Sequence, residues 1–89
     1  MSKYIEFIRK QPCLVCGSTP CDPDHLEARG MGGAKSSYKD YSCVPLCREH
    51  HSERHRYGIF GMNERYRMIK LDLWRDAFNL IRRYFVKIP

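Results

Sequence analysis

The run Cys13-Leu-Val-Cys16-Gly sets two thiols three positions apart. A two-residue gap lets both thiolates reach one ion from a tight turn, and Gly17 supplies the backbone freedom that the turn needs. Roughly thirty residues on, Cys47-Arg-Glu-His50 repeats the spacing with an imidazole in place of one thiol. Cys13, Cys16, Cys47 and His50 together make a Cys₃His set, an ordinary structural zinc (Zn²⁺) site. The second pair falls at the start of a helix, whose N-terminal dipole favours thiolate. Two cysteines are left over. Cys43 lies in the apolar run Cys43-Val44-Pro45-Leu46 and reads as a strand residue, although Cys43 with Cys47 is a competing ligand pair. Cys21 has no assigned role. A redox dithiol fits poorly, because no βαβ pattern surrounds Cys13 and Cys16.

Asp24, His25, His51 and His55 remain to be explained. His51 and His55 are four apart and share a helix face. His50 and His51 are neighbours and diverge by about 100° on a helix. One can face the zinc while the other faces a second ion. Phosphodiester hydrolysis needs an activated water, neutralised charge on phosphorus and a stabilised leaving oxygen. A histidine of near-neutral pKa can take the proton from water. Asp24, His51 and His55 suit a catalytic divalent ion, with His25 as the base. Taken singly, each has a plainer reading: Asp24 as a turn cap after Pro23, His25 as a satisfied surface or core side chain, His51 and His55 as solvated helix residues. The four weigh more together, because all fall on one predicted hairpin and helix beside the staple.

Three stretches of chain must position these groups. Residues 2–11 carry Tyr4, Ile5, Phe7 and Ile8 at the spacing of a short amphipathic helix, which Pro12 ends. Residues 13–58 hold every cysteine and histidine, with the turn formers Gly17 to Pro20, Asp22-Pro23 and Gly30 to Gly33. Asp24-His25 reads as strand, and a helix is expected over about 48–57. Beyond it, Asn63 can cap a short helix over about 64–69 and Asp72 a longer one over about 73–86. Trp74, Ala77, Phe78, Ile81 and Phe85 form one apolar stripe, with Arg75, Arg82, Arg83 and Lys87 off it. The stripe reads as core; its other reading is a homodimer surface of the C-terminal helices.

The bulk properties set the class. At 89 residues this is one domain's worth of chain, short enough to need a staple. Hydrophobic residues make up 43%, which suits a folded protein, and no apolar run is long enough to span a bilayer. Glu6, Arg9 and Lys10 break up any signal-peptide layout. The chain therefore reads as cytoplasmic and reduced, where five cysteines point to metal before disulfides. The net charge of +6 favours an anionic partner, nucleic acid being the commonest.

With those residues in place, the sequence resembles the HNH endonuclease (ββα-metal) family. The resemblance runs from Cys13-x-x-Cys16 through Asp24-His25 and the Gly-rich stretch to Val44-Pro45-Leu46-Cys47-x-x-His50-His51-x-x-x-His55. It is similar in particular to small phage-type members and phage recombination-enhancement nucleases. In those, a stretch like Gly30 to Gly33 through Lys39-Asp40-Tyr41 precedes the second metal segment. The resemblance implies a small α+β, zinc-bound domain over 1–89. Its treble-clef-like ββα core would span 13–58, with flanking N-terminal and C-terminal helices, the latter over about 62–87. It implies His25 as general base and Asp24 and His55 as metal ligands, with His51 in the middle motif position. Two departures stand out. His50 replaces a usual zinc-binding Cys, and Asp24 stands where some members have His. Asp favours harder cations such as Mg²⁺ or Mn²⁺.

DNA would then be held by Arg48, Arg54 and Arg56 on the site helix and by Lys35 and Lys39 in the Gly-rich loop. Such residues contact phosphates without reading bases, so little sequence specificity is expected. The other function class is a non-catalytic zinc module that binds DNA or protein. It needs the Cys₃His site alone and gives no reason for Asp24, His25, His51 and His55 to occur together.

Overall fold

The structure, a computed structural model, describes residues 3–26 and 37–86. The Gly-rich positions 30–33, Lys35 and Lys87, which the sequence reading used, lie outside the described residues. Helix α1 (Lys3–Arg9) leads to strand β1 (Asp22–His25). A 3₁₀ segment (Ser37–Ser42) then runs into strand β2 (Cys43–Leu46). Helix α2 (Arg48–Arg65), a short 3₁₀ turn (Arg67–Ile69) and helix α3 (Leu73–Phe85) complete the order. The result is a small α+β arrangement, and no described helix is long and apolar enough to cross a membrane.

The two strands pair antiparallel, with Asp22 opposite Leu46 and Asp24 opposite Val44. Pro23 faces Pro45, a pairing that removes no ladder donor if it sits at a non-hydrogen-bonded position. The Pro45 carbonyl indeed points outward and accepts from Leu14 N at 3.1 Å, which stitches the Cys13–Cys16 knuckle onto β2. All four residues of β2 are buried. Alternation sends Val44 and Leu46 into one core with Met62, Leu71, Leu73 and Ala77. Cys43 goes into a second core with Tyr4, Ile5, Ile8 and Leu80. The competing Cys43–Cys47 ligand pair is therefore not built: Cys43 is fully buried in apolar surroundings that push its thiol up to about 12.

Two expectations about the C-terminal half change. Asn63 does not cap a separate helix over 64–69. Helix α2 runs through it to Arg65, and its Oδ1 accepts from Leu73 N at 3.0 Å, at the start of α3. Asp72 is the N-cap of α3, as expected, and accepts from Arg75 N. The core stripe of α3 is also turned from the expected one. Leu73, Ala77 and Leu80 are buried, whereas Trp74, Phe78 and Phe85 are exposed. Both stripes have helical spacing, and the aliphatic one fits between β2 and α1.

Candidate metal centres

Backbone geometry brings the four staple residues together. Gly17 has φ +77°, the left-handed conformation that reverses the knuckle, and its N–H bonds Cys13 O at 2.9 Å. Cys47 is the N-cap residue of α2, but its thiol caps nothing. It turns instead toward Cys16 Sγ (3.8 Å) and His50 Nδ1 (3.1 Å), and Cys13 Sγ lies 3.7 Å from the same nitrogen. All four ligand atoms lie within 4.8 Å of one another. The edge of a tetrahedron with Zn–S bonds of about 2.3 Å is about 3.8 Å, so the spacing and donor set fit zinc. Ser18 Oγ, 3.0 Å from Cys16 Sγ, helps lower that thiol to about 6, which favours the thiolate that a metal requires. Burial raises the Cys47 thiol. Cys21 stands outside the set. It bonds Ser18 O, and burial lifts it to about 11, as befits a core residue.

A second cluster sits one side chain further along α2. Asp24 Oδ1 lies 3.5 Å from His51 Nε2 and 3.8 Å from His55 Nε2, and the two imidazole nitrogens are 3.1 Å apart. Asp24, on β1, is 1% exposed. His51 and His55 share one helix face, so a single face carries both imidazoles to the carboxylate. A carboxylate with two imidazoles suits a divalent cation, and the spacing fits one face of a coordination sphere. His25 follows Asp24 on the strand and projects to the other side, half exposed, where its Nε2 lies 3.2 Å from Asp40 Oδ1. Glu49, His50 and Glu53 form a third metal-capable group. It would compete for His50, while Glu53 already accepts from the Tyr66 hydroxyl and pairs with Arg65 at 3.5 Å.

Arg54 departs from its expected place. It does not extend into solvent toward phosphate. Its Nε donates to Asp24 Oδ2 and its second terminal nitrogen to Asp24 Oδ1, both at 2.7 Å, and that nitrogen also reaches His25 O at 3.2 Å. A carboxylate this buried must be compensated, and a forked guanidinium does so bidentately. These bonds raise the Arg54 pKa further. Arg48 and Arg56 stay exposed, and Lys39 is half-buried on the 3₁₀ segment.

Two residues that sequence reasoning passed over join the site. Asp22 Oδ2 lies 3.3 Å from His51 Nδ1, and Asp40 meets His25. The sequence carries a signal for Asp22, since residues i and i+2 of a strand share a face and Asp24 lies two residues on. No local spacing links Asp40 to His25.

Comparison with known proteins adds a family. A family model described as "Protein of unknown function (DUF968)" matches residues 1–75. The chain belongs to that family. It is also 43% identical over 53 residues to "Uncharacterized protein YdfU" of Escherichia coli (strain K12), a match covering 60% of this chain. That stretch is 15% of the relative's length, so the chain corresponds to a small part of it. No solved structure matches the chain.

Proposed function

We propose that the chain is a metal-dependent DNA endonuclease of the HNH type, built on a treble-clef-like ββα core. The observation that supports it most is the convergence of Asp24, His51 and His55 one residue along the helix from a complete Cys₃His set; His25 is the next residue of β1 after Asp24, and its backbone carbonyl accepts from the same Arg54. When bound, a divalent cation such as Mg²⁺ or Mn²⁺ supplies charge neutralisation at the phosphate and at the leaving oxygen. Asp24, His51 and His55 would hold it, and Arg54 would hold Asp24 in one rotamer. His25 takes the proton of the attacking water as the new P–O bond forms. The bond from phosphorus to the sugar oxygen breaks, and the leaving oxygen acquires a proton from solvent. Arg48, Arg56 and Lys39 would hold phosphates with little base preference. Zn²⁺ on Cys13, Cys16, Cys47 and His50 would fix the knuckle against the start of α2.

A supercoiled-plasmid assay tests this reading. Nicked or linear product is expected with Mg²⁺ or Mn²⁺ and none with EDTA. His25→Ala should lose about a hundredfold or more in rate while folding normally and keeping its zinc. Cleavage by that variant at the wild-type rate would sink the assignment.

The Asp24–Arg54 pair favours a second reading, a zinc module that binds DNA or protein without cutting. A buried carboxylate with both oxygens bonded by one guanidinium is complete as a structural ion pair. That reading expects one tightly held zinc, no Mn²⁺ binding and no cleavage.

A further inference from the structure

Two carboxylates face the back of two imidazoles, and they meet different ring nitrogens. Asp22 Oδ2 lies against Nδ1 of His51 (3.3 Å), whose Nε2 faces Asp24 and His55. Asp40 Oδ1 lies against Nε2 of His25 (3.2 Å). A carboxylate only accepts, so the nitrogen it meets must carry the proton when the ring is neutral. We propose that Asp22 and Asp40 are positioning residues that impose opposite tautomers on His51 and His25. His51 is then protonated on Nδ1, with a bare Nε2 turned into the metal cluster. His25 is protonated on Nε2, which leaves Nδ1 as the nitrogen able to take a proton.

The purpose of this arrangement rests on the metal-site reading above. A ligating imidazole needs its lone pair on the metal side, and an outer carboxylate on the other nitrogen fixes both tautomer and ring plane. The neighbouring contact agrees. His51 Nε2 and His55 Nε2 are 3.1 Å apart, so they cannot both carry a proton. With His51 Nε2 bare, His55 is the donor in the ion-free chain, and on ligation through Nε2 its ring proton would sit on Nδ1 instead. The two carboxylates also come from different elements. Asp22 opens β1, two residues from Asp24. Asp40 sits on the 3₁₀ segment, which ring contacts of Tyr41 with Tyr4 (4.8 Å) and Phe85 (5.5 Å) hold against α1 and α3. Metal holding and proton transfer are thus set from separate places and can be changed separately.

Long-range ¹H–¹⁵N correlation on the zinc-loaded chain, at a pH where the imidazoles are neutral, reads the tautomers directly. The expected result is Nδ1–H for His51 and Nε2–H for His25. Asp22→Ala should move the His51 proton toward Nε2 and weaken Mn²⁺ binding, read by electron paramagnetic resonance, by about tenfold or more. Asp22→Asn keeps an acceptor oxygen and should keep the tautomer. Asp40→Ala should leave Mn²⁺ affinity unchanged and lower kcat about tenfold or more with little change in KM, and Asp40→Glu should recover part of the loss. Nε2–H on His51 in the wild type, with Mn²⁺ still bound, overturns this inference alone. So does an Asp22→Ala variant with unaltered tautomer and affinity. The expected tautomers with no Mn²⁺ binding overturn the metal-site reading and the purpose assigned here with it.

Discussion

Tyr4 shows how a single atom can work against the fold that buries it. The residue is 2% exposed and its ring packs on Tyr41 and Tyr84, yet its hydroxyl has no hydrogen-bond partner among the described residues. A buried hydroxyl without a partner costs about 1–3 kcal/mol. Tyr4→Phe keeps the ring and removes that cost, so it should raise stability by about 1 kcal/mol, measured by denaturant unfolding. The same burial pushes the Tyr4 phenol up to about 12, and Cys43 beside it to about 12. Both groups have ordinary values of 10.0 and 9.0. Their folded-state values are raised, so the neutral forms favour the fold. That contribution is whole below about pH 9 and is lost as pH climbs toward about 12. The advantage of Tyr4→Phe should therefore widen between about pH 8 and about pH 11 in thermal melts. An advantage that stays flat would mean that the phenol does not ionise on unfolding. Legibility at this scale depended on whether partners were close in sequence. The staple ligands and the His51–His55 pair followed from spacing. The partnership of Arg54 with Asp24 did not, because an arginine four residues past His50 looks the same whether it reaches out or folds back.

At the scale of elements, α2 does the joining. It starts just after Cys47, carries His50 to one cluster and His51 and His55 to the other, and bends at Gly58. There φ is +76° and ψ 176°, inside an otherwise helical run. The expected end near residue 57 thus marks a bend, and the chain resumes helix to Arg65. The second half of α2 buries Met62, and Tyr66 just beyond it sets its ring edge-on to His50 at 5.7 Å. Gly58 is what allows both halves to pack. A Cβ at that position would meet nothing within 4 Å, so only the backbone conformation resists a side chain. Gly58→Ala should cost about 1–3 kcal/mol, the penalty for an L-residue in the extended region at positive φ that glycine alone adopts readily. Chemical denaturation checks this; an unchanged midpoint would show that the bend can straighten. The phase of α3 differs from the expected one for a related reason. Periodicity detects that a helix has an apolar stripe, but Leu73–Ala77–Leu80 and Trp74–Phe78–Phe85 both qualify. The choice belongs to β2 and α1: Val44 and Leu46 share a cluster with Leu73 and Ala77, and Ile5 and Ile8 share one with Leu80.

For the whole molecule, the question is what two short strands and three helices can hold together unaided. The two cores are joined by β2, which sends Val44 and Leu46 to one and Cys43 to the other, and by α3, which sends Leu73 and Ala77 to one and Leu80 to the other. The knuckle from Cys13 to Cys16 reaches β2 through the Leu14–Pro45 backbone bond and the packing of Cys13. Cys13 belongs to the larger core, and Cys47 packs against it, so two of the four proposed zinc ligands are also tied to the core. Small domains have about 5–15 kcal/mol of net stability, and a structural zinc contributes on the order of 10–16 kcal/mol of binding free energy in small zinc folds. The metal term is as large as the whole margin. Stripping zinc with a strong chelator should therefore unfold the chain, seen as loss of helical circular dichroism, and Cys16→Ser should lower the melting temperature by more than about 10 °C. Withdrawal of Mn²⁺ alone should leave both signals intact, because Arg54 already compensates Asp24 without a cation. The two clusters would then differ in kind, one required for folding and the other dispensable for it. A chain that melted at the same temperature with and without zinc would show that the two apolar cores suffice and that the Cys₃His set is not a staple.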